Sequence, residues 1–373
     1  MDKLRFLRLL SSGLCVVLLL ACPLDGLSLF HKVRKGESLW SIARQYQTSP
    51  GAIKRINKLR SNNVYPGQVL RLTPRIVKYS AANGPYYYRK PGAGRQKHRN
   101  YREPSRSSPR TDYVRARTLL RVFDAQILAN ATKKRRQPLK GWRIVLDPGH
   151  GGIDPGAIVS NTAGKDERVY VVEDEYVYDI ALRMYKRLRL LGAEVELTVI
   201  SPNHLIRDNL PANTTFVHEQ NEVYNDERYN RRNSEKVRPR SANLSQRVRV
   251  ANRFVKKGRR GKSLFISLHA DYNPGRPGGP LAIYHKRRGR TDSRSRSFAR
   301  VMRSALNQPD LPARIQGRNL AVLRNNLAHA EILVEVHNVH DKNDAWKIRY
   351  HKNRERNAER IVKGILAYAR KKR

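Results

Sequence analysis

Cysteine is nearly absent from this chain. Of its 373 residues only Cys15 and Cys22 carry a thiol, and both lie at the very start. The body of the protein therefore has no internal disulfide and no thiolate metal site. Acidic residues are also scarce: 31 stand against 76 lysines and arginines, for a formal net charge of +45. That imbalance draws a protein to polyanions, among them nucleic acid, anionic lipid and an acidic envelope, but does not choose between them. Long hydrophobic runs are missing too. The most apolar stretch, Leu9 to Ala21, is shorter than the roughly 20 residues of an ordinary membrane span.

What is present begins with a leader. Lys3, Arg5 and Arg8 precede the short apolar run, the grammar of a secretory signal peptide over residues 1–26. Leu19-Leu20-Ala21-Cys22 resembles a bacterial lipoprotein processing site, in which Cys22 would carry the lipid anchor. Cleavage nearer Gly26 is the alternative. A single acyl chain holds a membrane weakly, and a basic protein body adds to it. Either route predicts export to the periplasm or cell envelope. At about 100–200 residues per domain, the length predicts two domains plus linkers.

Residues 31–73 read as a small α+β unit of strand, helix, helix, strand. Gly36 makes a turn, and Ser38 can cap a helix from Leu39 to about Tyr46. Leu39, Ile42, Ala43 and Tyr46 recur at helical spacing. A second helix runs from about Pro50 to Ile56, and Val69, Leu70 and Leu72 suit a closing strand. The stretches His31 to Ala43, Ile56-Asn57-Lys58-Leu59 and Val64 to Leu70 resemble the LysM domain. That resemblance implies binding of N-acetylglucosamine-containing glycans, with Gly36, Glu37, Ser38, Asn57, Pro66 and Gly67 as candidate contacts. Leu39 and Trp40 are read as core residues.

Residues 74–141 read as a basic, mostly disordered linker, because high net charge with few aliphatics cannot support a core. Val114 to Leu128 is the exception, with apolar residues for one helix that docks on the next domain. Tyrosines among the basic residues would also suit single-stranded nucleic acid. The leader argues instead for anionic envelope polymers, with no specific nucleic acid as partner.

Residues 142–373 alternate strand and helix patterns. Strands are expected over Arg143 to Asp147, Glu194 to Ile200, Leu264 to His269, Leu281 to His285 and Ile332 to Val336. Helices are expected over Asp174 to Leu191, Leu244 to Val255 and Asn353 to Arg370. This predicts an α/β domain with a largely parallel sheet flanked by helices and a site at the carboxyl ends of its strands. Three apolar strands there deliver His150, His269 and Glu335. Two histidines, a carboxylate and an open position form a common catalytic zinc set. On position alone Glu167, Glu173 and Glu175 are all candidates for the remaining ligand.

The stretches Ile144 to Ala157, Glu173 with Asp179-Ile180-Ala181, Arg247-Val248 with Ala251-Asn252, Phe265 to Asp271, Leu320 to Asn325 and Ile332 to Glu335 resemble the zinc-dependent N-acetylmuramoyl-L-alanine amidases. The resemblance selects Glu173 as a ligand. It implies zinc held by His150, Glu173 and His269, with Glu335 as general base. The bond cut would be the amide between N-acetylmuramic acid and L-alanine of the peptidoglycan stem, in cell wall turnover or daughter-cell separation.

Val336 to His340 departs from the family, which has a small residue and a glycine there. His337 is expected to crowd the substrate or add a proton donor, and His337 and His340 are weaker metal candidates. A polar insertion over 202–243 is read as a disordered loop or as a gate, with Glu219 or Glu222 as plug. An activator protein is an expected partner that the residues do not identify. Three rival functions remain: a nonenzymatic wall-binding scaffold, a nucleic-acid-binding protein and a zinc peptidase on peptidoglycan.

Overall fold

A computed structural model describes residues 29–33, 36–45, 50–72, 107–131, 136–163, 167–207 and 221–371. The expected leader, both cysteines, Tyr46, Glu219 and most of the basic linker lie outside the described residues. No described helix is long and apolar enough to cross a membrane.

The N-terminal unit has the expected strand-helix-helix-strand order. Strands β1 (Leu29–Lys32) and β2 (Val69–Leu72) pair antiparallel, with His31 opposite Leu70. Helices α1 (Leu39–Gln45) and α2 (Pro50–Asn57) lie between them in sequence. Leu39, Ile42 and Ala43 fall on one stripe of α1 and meet Val33, Ile53 and Leu70 in a small core. Trp40 departs from expectation. It stands one residue off that stripe, about 100° round the helix, and is 65% exposed.

Helix α3 (Pro109–Ala129) lies in the expected linker and starts earlier than the Val114 read from apolar spacing. Its N-terminus explains why. Ser108 accepts a hydrogen bond from the Thr111 backbone N–H, Pro109 opens the helix, and Asp112 stands in the first turn. Ala116, Phe123 and Ile127 join the main core of the C-terminal domain.

That domain is built in chain order from β3 (Arg143–Pro148), β4 (Ile158–Ala163), β5 (Glu167–Val172), α4 (Glu173–Leu190), β6 (Glu194–Leu197), β7 (Val199–Ile200), β8 (Val223–Tyr224) and α5 (Leu244–Lys256). Then come β9 (Ser263–Asp271), β10 (Leu281–Arg287), β11 (Arg290–Thr291), α6 (Ser293–Leu306), β12 (Arg314–Arg318), β13 (Ala330–Asn338), α7 (Lys342–Arg349) and α8 (His351–Arg370). The sheet runs β11-β10-β13-β9-β3-β6, with β12 also on β10. Strands β6, β3, β9 and β13 are mutually parallel, while β10 is antiparallel to β13. Alternate residues serve opposite faces. Ile144, Leu146, Ile266 and Val334 meet α3, α4, α6 and α8, whereas Val145, Phe265 and Leu333 meet α5.

The expected strand over Glu194 to Ile200 is broken in two. Glu194–Leu197 pairs with β3, and Val199–Ile200 turns away to pair with β8. The β4–β5 hairpin and α6 were not expected. Helix α6 carries Phe298, Ala299, Met302 and Leu306 at helical spacing, but the arginines between them obscure the stripe.

Candidate metal centre and active site

The ends of β3, β9 and β13 lie together because these strands are neighbours in parallel register. Leu268 of β9 pairs with Pro148 of β3, and His269 pairs with Glu335 of β13. Helix α4 starts at Glu173, directly after β5, which places that carboxylate over the same edge. The structure thus brings together His150, Glu173, His269 and Glu335.

Glu173 is the hub. Its Oε1 lies 3.2 Å from His150 Nε2 and 3.0 Å from His269 Nδ1. It also accepts a hydrogen bond from the Ala270 backbone N–H at 2.9 Å. The other oxygen accepts from the Ala157 N–H at 3.0 Å. The imidazole rings meet edge-on with centroids 4.9 Å apart. Two glycines make room for them. A Cβ on Gly149 would stand 2.5 Å from His269 Cε1, and one on Gly156 would stand 2.7 Å from Glu173 Oε2. His150 itself has a left-handed backbone, φ 58°, a conformation that must be held by its surroundings.

Several buried groups hold that turn. Arg247 of α5 donates to the carbonyls of Pro148 and His150 and pairs with Asp147. Asp147 accepts from Ser267 and Thr198 as well. His150 Nδ1 lies 3.2 Å from Asp154 Oδ1, which fixes the ring and leaves Nε2 facing Glu173. Asp154 was missed in the sequence. Its position four residues after a histidine in a glycine-rich turn was the available signal.

Electrostatics mark the site as one that favours a cation. Burial disfavours a charged His150 ring, but the Glu173 and Asp154 carboxylates outweigh it and raise its pKa to about 10. Burial pushes Glu173 upward, and His150 with His269 overcomes this to hold it well below the usual range. Glu335 goes the other way. Burial, then the charges of Glu173 and Asp271, push it well above the ordinary carboxylate range. Its Oε2 is buried without a hydrogen-bond partner. Scarce carboxylates are thus concentrated at one strand edge of a very basic chain.

The donor set fits zinc. His150, Glu173 and His269 each offer one ligand atom, all within 4.8 Å of one another, and nitrogen and carboxylate donors are those zinc takes in catalytic sites. Glu175, a rival on position alone, pairs instead with Arg207. The backbone of Glu167 lies at the far end of β5, opposite Ala163. Glu222, expected as a plug, accepts from the Gly152 N–H at 3.0 Å and is not among the clustered ligand atoms.

His337 does not face the site. A bulge between Glu335 and Asn338 gives β13 an extra residue and turns His337 over. It is buried against Asp344 of α7, at 3.3 Å, and Asn357 of α8, at 2.9 Å. His340 packs on Tyr272, with ring centroids 5.0 Å apart.

In the N-terminal unit, several expected glycan contacts have internal partners. Glu37 lies 2.7 Å from His31. The Asn57 amide clasps β2, donating to the Arg71 carbonyl and accepting from its N–H. Gly36 and Gly67 adopt positive φ, and the Gly67 N–H donates to Val33. Ser38 accepts at its carbonyl from Ile42. A shallow open pocket lies elsewhere, lined by Trp40 with Pro50, Lys54, Arg55, Lys58 and Asn62.

Fold and site together define an α/β protein with a candidate catalytic metal centre at the carboxyl edge of its sheet. The chain belongs to the N-acetylmuramoyl-L-alanine amidase family, whose profile matches residues 144–367. A LysM domain matches residues 31–73. Among similar proteins, an uncharacterized cell wall amidase of Bacillus anthracis is 29% identical over 243 residues. That match covers 63% of this chain and 37% of the relative, so the chain spans little more than a third of that protein. The germination-specific N-acetylmuramoyl-L-alanine amidase of Bacillus subtilis is 28% identical over 253 residues, covering 67% of this chain and 90% of the relative. Among solved structures, the amidase AmiC2 of Nostoc punctiforme aligns at 23% identity and TM-score 0.41, covering 62% of this chain and 98% of that one. Ami1 of Mycobacterium smegmatis aligns at 20% identity and TM-score 0.43, covering 62% and 99%.

Proposed function

We propose that this protein is a zinc-dependent peptidoglycan amidase that cuts the bond between N-acetylmuramic acid and L-alanine of the stem peptide. The observation that carries this reading is the convergence of His150, Glu173 and His269 beside a Glu335 whose Oε2 is buried without a hydrogen-bond partner, in a chain of this family. Zinc held by the three ligands would lower the pKa of water towards 7 and polarise the amide carbonyl.

The chain's own residues supply the rest. Asp154 orients His150, and the Ala157 and Ala270 backbone N–H groups orient Glu173. Glu335 takes a proton from the attacking water at a carboxylate oxygen. As the carbon–nitrogen bond breaks, it delivers that proton to the departing amine. Water adds to the carbonyl, the lactyl group leaves as a carboxylate, and the stem peptide leaves with a free amine.

The LysM unit is the wall-binding module, and exposed Trp40 offers a flat apolar surface to a sugar ring. The leader over residues 1–26 would carry the protein to the periplasm or envelope, with Cys22 as the lipidation site if it is processed as a lipoprotein. There the basic chain meets anionic envelope polymers. An activator protein belongs to the same proposal.

Digestion of purified peptidoglycan by residues 27–373, with and without a chelator, tests the reading. Free stem peptides and intact glycan strands are expected, with activity lost to the chelator and restored by zinc. Released disaccharide-peptides, stem peptides cut internally or chelator-insensitive cleavage would overturn it.

A further inference from the structure

The His150 turn is supported from two sides, and one of them leads out of the catalytic domain. Arg247 holds it from α5. On the other side the Gly152 N–H donates to Glu222 Oε2, and the Ile153 N–H donates to the Pro239 carbonyl at 3.2 Å. Both acceptors belong to the segment 221–239. That segment contains a two-residue strand and short 3-10 turns, so little regular structure fixes its shape.

A single buried side chain ties its two ends together. Arg238 Nη1 donates to the Asn221 carbonyl at 2.9 Å. Nη2 donates to Asp112 Oδ2 and to the Ser107 carbonyl, both at 2.8 Å. Asn221 and Arg238 are the chain neighbours of Glu222 and Pro239, the two residues that touch the turn. Arg238 and Asp112 are both fully buried, and a guanidinium removed from water needs its charge and donors met in place. Asp112 does this from the first turn of α3, supported by the Ser107 hydroxyl. Further along α3, Arg117 donates to Asn225 at 2.9 Å, whose backbone N–H donates to Thr198.

We propose that Asp112, acting through Arg238, is a positioning residue for the metal-binding turn at His150, and that the catalytic unit begins at Ser107. The segment from Ser107 to Ala129 is then its first element and not part of the tether. The family match begins only at Ile144, so α3 lies outside the matched residues. The inference rests on the reading of His150 as a zinc ligand. Its structural half, the support of the turn, stands apart from any metal.

The test uses residues 27–373 and four proteins: wild type, Asp112→Asn, Ser107→Ala and Asp124→Asn. Asp124 sits on the same helix and binds Arg189 and Tyr185, away from the His150 turn, so its variant reports helix docking alone. Amide hydrogen exchange at Gly151 and Gly152 is measured in the metal-free proteins, and zinc affinity by competition with a chromophoric chelator. Asp112→Asn is expected to speed exchange at both glycines and weaken zinc affinity about tenfold, as loss of an outer-shell support does. Ser107→Ala, a milder change, should move both readouts in the same direction if Asp112→Asn does not fold. Asp124→Asn should leave zinc affinity within about twofold, whatever it does to the melting temperature. Unchanged glycine exchange and zinc affinity in the Asp112 and Ser107 variants would overturn the coupling. Equal losses in the Asp124 variant would reduce α3 to a general structural support and overturn it as well. Failure of the wild type to bind zinc would strike the metal reading, while glycine exchange would still decide the coupling.

Discussion

Glu335 and His269 are direct neighbours across two parallel strands, paired in the register of β13 with β9. The pairing sets the proposed base beside a proposed ligand, on the same face of the sheet. Immediately afterwards β13 bulges, so the next side chain of that parity, His337, is carried to the α8 side. The bulge therefore limits what the site contains, and Glu335 reaches it without a second titratable group from the same strand end.

Glu335→Gln should keep the metal and lose the chemistry. The carboxylate is not one of the three clustered ligand donors, so zinc content should match the wild type. General base catalysis contributes on the order of 10²–10⁴-fold, and kcat should fall in that range. The amide also avoids placing a charge in a buried site, so the melting temperature of the metal-free protein should not drop. Zinc content and stem-peptide release measured on one preparation check both halves.

The metal centre should be sensitive to a single methyl group on Gly149. A Cβ there would stand 2.5 Å from the His269 ring, closer than side chains tolerate, so the ring must move. Overpacking of this kind costs about 1–3 kcal/mol. Here the strain falls on a proposed ligand. Gly149→Ala is expected to bind zinc at least tenfold more weakly while the far-ultraviolet circular dichroism stays unchanged. Normal zinc affinity would show that the ligand is not fixed by this contact.

The residues differ in how much of this could be read from the chain. His150, His269 and Glu335 follow apolar strands, so periodicity alone delivers them to one edge. Glu173 sits at a helix start after a hairpin that the pattern did not show, and Glu167 and Glu175 compete with it until the family is considered. The Glu175 contact with Arg207 and the bulge that removes His337 are tertiary facts with no local signal. Helix α3 was legible as a helix from its apolar spacing, but its buried Asp112 could not be paired with an arginine more than a hundred residues away. Trp40 was misread for a different reason: the i, i+3, i+4 stripe of α1 already excluded it from the core, and its hydrophobicity was given more weight than its phase.

That phase makes Trp40 separable from folding. Exposed as it is, Trp40→Ala should leave the LysM unit folded, whereas Ile42→Ala, at a fully buried position, should cost about 2–5 kcal/mol and unfold it. If Trp40 carries a sugar ring, its loss should weaken binding to insoluble peptidoglycan by about 2 kcal/mol, roughly thirty-fold in Kd. Co-sedimentation with the Glu335→Gln background, which leaves the wall intact during the assay, measures this. Unaltered sedimentation would place the glycan contacts on the other loops.

Stability should carry a signature from a carboxylate outside the site. Glu331 of β13 is buried one residue from the strand start, and its pKa is raised to about 8, first by burial and then by Asp292. Its pKa in the folded protein is above that of the unfolded chain, so the folded state holds the proton more tightly. Its contribution is therefore fully favourable below about pH 4.5, declines above that, and is lost as pH rises through about 8. At about 1.4 kcal/mol per pKa unit the ceiling is about 5 kcal/mol, lowered by local relaxation. Glu331→Gln keeps the size of the side chain and removes the titration. The melting temperature of the variant minus that of the wild type should therefore grow more positive from pH 5 to pH 9 and level off above it. A difference independent of pH would mean that Glu331 ionises in the folded protein as it does in the unfolded chain, and that α6 opens readily enough to admit water there.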